Sequence, residues 1–230
     1  MRHDFDKEYW EQHWRQGDAA APGSMGGNPP NPYLARETSE LTPGTALDAG
    51  CGSGAEAIWL AAHGWRVTAV DISSAALTRA AERATASGAS ERLRLVEADL
   101  GVWHPGTRFD LVTTHYAHPA MPQLDFYERI AGWVAPGGTL LIVGHLHTAD
   151  DGRDLDHGQG HGHGSGHHPP AEASATAAAI TARLAEAAWE VVTAEECRRT
   201  LGHGHGAVAL HDVVVRATRC HQPVASDTTP

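Results

Sequence analysis

The sequence has few cysteines and no long apolar run. Its three cysteines, Cys51, Cys197 and Cys220, are an odd number without C-x-x-C spacing, so neither a disulfide framework nor a cysteine zinc site is expected. No apolar run approaches the roughly 18–20 residues that a membrane-spanning helix requires. These absences indicate a soluble protein of a reducing compartment, with no membrane partner.

Basic side chains are also scarce. Seventeen lysines and arginines stand against 28 aspartates and glutamates, which gives a formal net charge of −11 at pH 7. No basic patch is segregated along the chain, and an acidic surface repels a phosphate backbone, so we expect no nucleic-acid partner. The opening residues, MRHDFDKEYW, lack the apolar core of a secretory signal, which predicts a cytoplasmic location.

From residue 45 onward, short apolar runs alternate with helical patterns. The predicted strands are TALDAG, WRVTAVD, LRLVEAD, RFDLVTTHY and GGTLLIVGH, and the helices between them are AEAIWLAAHG, SAALTRAAERATASG and QLDFYERIAGWV. After a Gly/His-rich segment, the pattern resumes with a helix, EASATAAAITARLAEAA, and two strands, WEVVTAEE and AVALHDVVVRATR. Strands alternating with helices imply right-handed crossovers and a largely parallel sheet. The sequence therefore predicts a doubly wound α/β fold in a single domain.

The strongest local signal is the glycine loop, residues 50–54, in LDAGCGSGAEA. Its glycines follow the first strand and open the first helix, where they let the backbone turn sharply and let a ligand approach the main chain. Gly50, Gly52 and Ala55 also satisfy the dinucleotide fingerprint G-x-G-x-x-G/A, and Asp71 suits a ribose hydroxyl in either case. The loop alone therefore leaves a nicotinamide-dependent oxidoreductase open as an alternative.

Three further features argue against a dinucleotide. Asp48 lies two residues before the first glycine, where a carboxylate suits a cationic or amino-bearing ligand better than a pyrophosphate. The sequence EADL places Asp99 at the end of the third strand, where it can accept a hydrogen bond from an adenine amino group. The sequence APGGTLL is a Pro-Gly-Gly turn that leads into the fifth strand.

Five motifs then follow in order across residues 45–145: LDAGCGSG, VTAVDIS, LVEADL, FDLVTTHYAHP and APGGTLLIVGH. In this arrangement the chain resembles the class I S-adenosylmethionine-dependent methyltransferases, and its aromatic N-terminal helix with NPPNPYLARE resembles the small tellurite-resistance and thiopurine-type members. The resemblance implies a Rossmann-like, seven-stranded sheet with an antiparallel last strand. It also implies methyl transfer from S-adenosylmethionine to a small thiol, amine, hydroxyl or metalloid acceptor by in-line displacement, with S-adenosylhomocysteine as product.

The resemblance assigns cofactor binding to ten residues. The glycine loop would line the methionine part, Asp48 would approach its ammonium through the loop or a water, Asp71 would hold the ribose, and Asp99 the adenine amino group. The full set is Asp48, Gly50, Cys51, Gly52, Gly54, Asp71, Ile72, Asp99, Leu100 and His115, the last beneath the sulfonium. Cys51 is expected to serve there as a small packing residue and not as a nucleophile.

The acceptor's residues are expected after the fourth and fifth strands and on the N-terminal helix. A protonated acceptor needs a base, and a histidine near neutral pKa suits that task; an acceptor that is already an anion needs none. The candidate catalytic residues are His115, His118 and, third, Tyr116. The candidate substrate-cavity residues are Tyr9, Trp10 and Trp14, as a lid, with His145 and His147.

Residues 157–168, HGQGHGHGSGHH, alternate histidine with glycine. Imidazoles so spaced can gather around nickel, zinc or copper, but flexible glycines preform no site. We therefore expect a solvated loop and no metal centre. The alternative is a metal-handling protein that uses these histidines for nickel or zinc on a methyltransferase-like fold.

The expected organisation has three parts. Residues 1–40 form a helix and a Pro/Gly loop that covers the cavity, with NPPNPY as a rigid connector at its mouth. Residues 41–220 form the S-adenosylmethionine-binding domain, with the His-rich insertion at 149–170. Residues 221–230 form a disordered tail. We expect a monomer or a homodimer.

Overall fold

The computed structural model describes residues 5–16, 29–146, 174–201 and 208–221. Four features named above lie wholly or mostly outside these residues: the Pro/Gly loop up to residue 28, His147, the His-rich insertion and all but the first residue of the tail. Within the part of the chain that is described, no helix is long and apolar enough to cross a membrane.

Seven strands form one sheet. They are β1 (Thr45–Ala49), β2 (Arg66–Asp71), β3 (Leu93–Glu97), β4 (Phe109–His115), β5 (Val134–His145), β6 (Trp189–Leu201) and β7 (Val208–Arg219). Their order is β3-β2-β1-β4-β5-β7-β6, and β7 is antiparallel to both of its neighbours while the other pairs are parallel. The predicted doubly wound sheet with an antiparallel last strand is confirmed. The strand order reverses between β1 and β4, which is where such sheets open a ligand crevice.

Six helices are described: α1 (Lys7–Gln16), α2 (Pro32–Thr38), α3 (Ala55–Ala62), α4 (Ser74–Ser87), α5 (Gln123–Ala131) and α6 (Ala177–Thr181). A 3₁₀ turn, Ser90–Arg92, precedes β3. The predicted bounds of α4 are confirmed, because the Ser73 hydroxyl caps its start by accepting from the Ala76 amide, and Gly88 ends it in the left-handed conformation.

The core lies on both faces of the sheet. Neighbouring residues of a strand point to opposite faces, so Val112 of β4 packs in one layer with Phe126 of α5, and Leu111 packs in the other with Leu60 of α3. Burial on both faces explains why the central strands read as continuous apolar runs.

The predicted helix EASATAAAITARLAEAA is wrong in length. Among its described residues, 174–188, only α6 is α-helical, and it begins after Thr176, whose hydroxyl accepts from the Ala179 amide. Ala177 and Ile180 are its buried residues, and a turn in which the Ala188 amide donates to the Ala185 carbonyl then leads into β6. Alanine favours a helix locally, but only the short buried face is stabilised by packing.

The connector NPPNPY is also partly helical. Its second asparagine, Asn31, accepts from the Tyr33 amide at 3.0 Å and so caps α2, with Pro32 at the first helical position. Pro29 and Pro30 line the cavity described below, as expected for a mouth segment.

Candidate active site

A cavity of about 500 Å³ opens at the carboxyl ends of β1, β2 and β4, and α1 lies across it. Of the ten predicted cofactor residues, eight line it: Gly50, Cys51, Gly52, Asp71, Ile72, Asp99, Leu100 and His115. Asp48 and Gly54 do not. The three predicted catalytic residues line it too, as do Trp10 and Trp14 of α1.

The glycine loop needs its glycines for two reasons. Gly50, Gly52 and Gly54 have φ angles of 82°, 50° and 78°, in the left-handed region that side chains disfavour. There is also no room, because a Cβ at Gly50 would lie 2.3 Å from Cβ of Ala117. The loop is fixed to β2, since the Gly50 and Cys51 amides both donate to the Val70 carbonyl, at 2.9 and 3.0 Å.

Asp71 holds the loop and lines the cavity at the same time. One carboxylate oxygen accepts from the Gly52 amide at 2.8 Å and the other from the Ser73 amide at 2.9 Å. Burial raises the pKa of Asp71, and these backbone hydrogen bonds oppose that rise. The Ile72 amide donates a third backbone hydrogen bond to this carboxylate. Two carboxylate oxygens offer about four acceptor sites, so at least one remains for a ribose hydroxyl.

Asp48, predicted to approach a ligand through the loop or a water, does not itself line the cavity. It is buried behind the loop and accepts a hydrogen bond from the backbone of Ala57 in the first turn of α3. The N-cap of that helix is Gly54, which has no side chain to do this. Burial, reinforced by repulsion from Glu56 and Asp71, raises the pKa of Asp48. Its observed role is therefore to complete the start of α3, and any effect on a ligand passes through the loop.

The far end of the cavity combines an acid with apolar walls. Asp99 accepts from the Gly101 amide at 2.8 Å and lines the cavity beside Ile72 and Leu100. A carboxylate for an amino group, apolar walls for a flat ring and the carboxylate of Asp71 for hydroxyls together match an adenosine group.

Helix α1 is anchored by a residue that the sequence did not single out. The Glu11 carboxylate accepts from the hydroxyls of Ser73 and Ser74, at 2.6 and 2.7 Å, and from the Ala75 amide at 3.3 Å. These donors sit at the start of α4, where a negative charge is favourable, and the Ser73 bond, the largest cause, lowers the pKa of Glu11 to about 2. Glu11 precedes Trp14 by three residues on one face of α1, a spacing that could have pointed to it.

Two more contacts fix α1 over the cavity. The Trp10 indole donates to the His118 carbonyl at 3.2 Å, and Lys7 pairs with Glu97 at the end of β3. Tyr9 differs from its prediction because it packs on Phe5 at 5.3 Å and does not line the cavity, whereas Phe5 does.

Of the predicted histidines that are described, His115 and His118 line the cavity, whereas His145, predicted as a substrate-cavity residue, does not. The His145 ring instead stacks 4.4 Å from that of Tyr116 and 5.5 Å from that of His118. Burial lowers the pKa of His115, which favours the neutral imidazole. Its Nε2 is buried with no hydrogen-bond partner among the described residues.

Tyr116 is the centre of a network that the sequence did not predict. Its hydroxyl accepts from Asn31 at 3.0 Å and from Arg199 at 2.8 Å, and it donates to Asp212 at 2.9 Å. Arg199 and Asp212 also form an ion pair, and Asp212 is fully buried. Burial and the Asp212 charge raise the pKa of Tyr116. A phenol that stays protonated and already makes three hydrogen bonds can position its neighbours, but it is a poor general base.

Residues 46–138 match the family model of a methyltransferase domain. A probable thiol methyltransferase 2 from Arabidopsis thaliana is 29% identical over 140 residues, which is 58% of this chain and 60% of that relative. The chain spans less than two thirds of the length of this and the other curated relatives that it matches.

Solved structures share the fold at low sequence identity. One, from work on the conversion of a disulfide bond into a thioacetal group during echinomycin biosynthesis, has a TM-score of 0.66 at 22% identity and covers 93% of this chain and 91% of its own. The N-methyltransferase NodS from Bradyrhizobium japonicum, in complex with S-adenosyl-L-homocysteine, has a TM-score of 0.63 at 17% identity, with coverage of 91% and 97%. Residues 46–138 thus match a methyltransferase domain, and the chain shares the fold of these two solved structures.

Proposed function

We propose that this protein transfers a methyl group from S-adenosylmethionine to a small-molecule acceptor and releases S-adenosylhomocysteine. The observation that carries the proposal is one continuous cavity. At one end it has the glycine loop, Asp71 and Asp99, which suit an adenosine-bearing ligand, and at the other it has His115 and His118 beside Tyr116. The family match over residues 46–138 supports the same activity.

The chain's own residues align and enclose the reactants. When bound, S-adenosylmethionine supplies an electrophilic methyl on a sulfur that already carries the positive charge, so alignment and exclusion of water are the main tasks. The glycine loop would hold the methionine part, Asp71 the ribose, and Asp99 the adenine amino group. Phe5, Trp10 and Trp14 form an apolar wall that keeps water from the methyl group.

The size and charge of the site favour a small acceptor. About 500 Å³ lies in the usual range for small-ligand sites, and it must hold both cofactor and acceptor. A net charge of −11 disfavours a nucleic acid. The similarity to a probable thiol methyltransferase makes a thiol the first acceptor to test, before amines, hydroxyls and metalloids.

We assign residues 1–40 to covering the cavity and residues 41–220 to the methyltransferase domain. Support for the first comes from α1, which lies over the cavity and is anchored on α4 by Glu11. We place the reaction in the cytoplasm because the three cysteines make no disulfide framework. A monomer or a homodimer would suffice, since the described site needs no second chain.

Calorimetric titration with S-adenosylhomocysteine tests the cofactor assignment. Wild type should bind with micromolar affinity, equally in chelator-treated buffer and with added zinc or nickel, and Asp71→Ala should bind at least tenfold more weakly. Asp125→Ala is the matched control, since Asp125 is exposed and pairs with Arg183 away from the cavity. Binding that requires metal, or stabilisation by NAD in place of S-adenosylhomocysteine, would overturn the assignment.

A label-transfer screen tests the activity. Methyl-labelled S-adenosylmethionine is offered with thiophenol, aniline, catechol and selenite, one for each acceptor class. Deletion of residues 1–20 should abolish turnover more than cofactor binding, because it removes the aromatic wall. Equal loss of both would refute the covering role of this segment.

A further inference from the structure

His118 and Gln123 are joined at the start of α5. Both are buried, and His118 Nδ1 lies 3.2 Å from Gln123 Oε1. The Gln123 amide nitrogen donates to the Ala117 carbonyl at 3.0 Å. Turning the amide over would place its oxygen against that carbonyl, so the orientation is determined by the network.

The amide nitrogen therefore donates to the Ala117 carbonyl, and the amide oxygen accepts from His118 Nδ1. A neutral His118 then carries its hydrogen on Nδ1 and a lone pair on Nε2.

The plane of the His118 ring is fixed as well. Its ring lies 6.0 Å from that of Phe5, two residues before α1, and 5.5 Å from that of His145 on β5. His115 differs in this respect, because its Nδ1 lies 3.4 Å from the Thr113 hydroxyl. A hydroxyl both donates and accepts, so it fixes neither tautomer.

We propose that His118, through Nε2, is the general base of methyl transfer and that Gln123 is the positioning residue that fixes its tautomer. This rests on the proposed function. The acceptor's lone pair forms the new bond to the methyl carbon, the carbon–sulfur bond breaks with its electron pair left on sulfur, and the acceptor's proton moves to Nε2. Nε2 is buried where His118 lines the cavity, so the acceptor must displace a covering side chain to reach it. The acceptor is therefore one that carries a proton on the methylated atom: a thiol, a hydroxyl or an amine.

The first test is spectroscopic and needs no acceptor. The ¹⁵N ring signals of His118, assigned by their loss in His118→Gln, are recorded about two pH units above the usual pKa of histidine. Wild type should show a protonated Nδ1 and an unprotonated Nε2. Gln123→Met, which lacks an acceptor, should show a mixture, and Gln123→Glu should restore the proton on Nδ1. Gln16→Met, an exposed site on α1, should leave the signals unchanged.

The second test is kinetic. With whichever of thiophenol, aniline or catechol is methylated, Gln123→Met should lower kcat about tenfold and His118→Gln about a hundredfold or more, with the Kd for S-adenosylhomocysteine unchanged. Gln123→Glu should recover most of the rate. A wild-type proton on Nε2, an unchanged tautomer in Gln123→Met, or turnover of selenite alone would overturn the inference. Failure of the proposed function would appear separately, as loss of S-adenosylhomocysteine binding by wild type.

Discussion

The indole of Trp14 occupies the space that a side chain at Gly52 would need, since a Cβ there would lie 2.8 Å from Cζ2 of the indole. Helix α1 and the glycine loop therefore fit together only because that position has no side chain. Gly52 also has a φ of 50°. We expect Gly52→Ala to strain the loop and displace α1, lowering the affinity for S-adenosylhomocysteine at least tenfold in a calorimetric titration.

Gly88→Ala is the control for this substitution. Gly88 has a φ of 72° at the end of α4, with nothing within 4 Å of its Cβ position. The Gly88→Ala variant should lose about 1 kcal/mol of stability from backbone strain and keep its affinity for S-adenosylhomocysteine. Equal affinity in Gly52→Ala and wild type would contradict the fit between loop and helix.

The Glu11 carboxylate gives a pH-dependent anchor. Its pKa falls from 4.5 to about 2 in the folded protein. The stability that the charged carboxylate contributes is therefore fully present above pH 4.5 and is lost as the pH falls toward 2. At neutral pH, Glu11→Gln should lower the free energy of unfolding by about 1–2 kcal/mol. Urea unfolding followed by tryptophan fluorescence measures this difference.

The same measurement across pH is the sharper check. The difference between wild type and Glu11→Gln should shrink between pH 4.5 and about 2, the window of the shift. Glu8→Gln, with the same change of charge at an exposed position of α1, should have little effect at any pH. A difference that stays constant over that window would show that the carboxylate's charge is not what anchors α1.

Arg199 and Asp212 should behave as a coupled buried pair. Arg199→Met leaves the fully buried Asp212 without its cation, and we expect a loss of about 3 kcal/mol in urea unfolding. The double variant Arg199→Met/Asp212→Asn should recover more than half of the free energy of unfolding that Arg199→Met loses. Arg183→Met removes an exposed ion pair with Asp125 and should cost less than about 1 kcal/mol. Additive losses in the double variant would refute the coupling.

Tyr116→Phe should change the rate of label transfer only slightly. Its hydroxyl has all its bonds made, and its raised pKa keeps it protonated. We expect a loss of about 1–2 kcal/mol in stability and a label-transfer rate within tenfold of wild type. A hundredfold fall in rate, with S-adenosylhomocysteine affinity intact, would instead give Tyr116 a proton-transfer role.

The features that could be predicted from the sequence are those that short local patterns determine, such as helix ends and residues at strand ends. The ends of α4 followed from Ser73 and Gly88, and the placement of Asp71 and Asp99 in one cavity followed from their positions at strand ends. The length of α6 was not predicted, because alanine content favours a helix while packing limits it to the few buried positions of Ala177–Thr181.

The network around Tyr116 could not be predicted in this way. Asn31, Arg199 and Asp212 lie 85, 83 and 96 residues from Tyr116 along the chain. One of two adjacent arginines in a long strand, and an aspartate in an apolar strand, carry no periodic signal of their own. Only the sheet order, which places β7 beside β5 and β6 beyond β7, brings Arg199 and Asp212 near the end of β4.

That same distribution limits how the acceptor end can be redesigned. Tyr116 and the three side chains bonded to its hydroxyl come from the residue after β4, from the segment before α2, and from the two C-terminal strands. A chimera that grafts β6 and β7 from a methyltransferase would import a new arginine–carboxylate pair against an old asparagine and tyrosine. Transplants of acceptor preference into this scaffold must therefore exchange all three segments together.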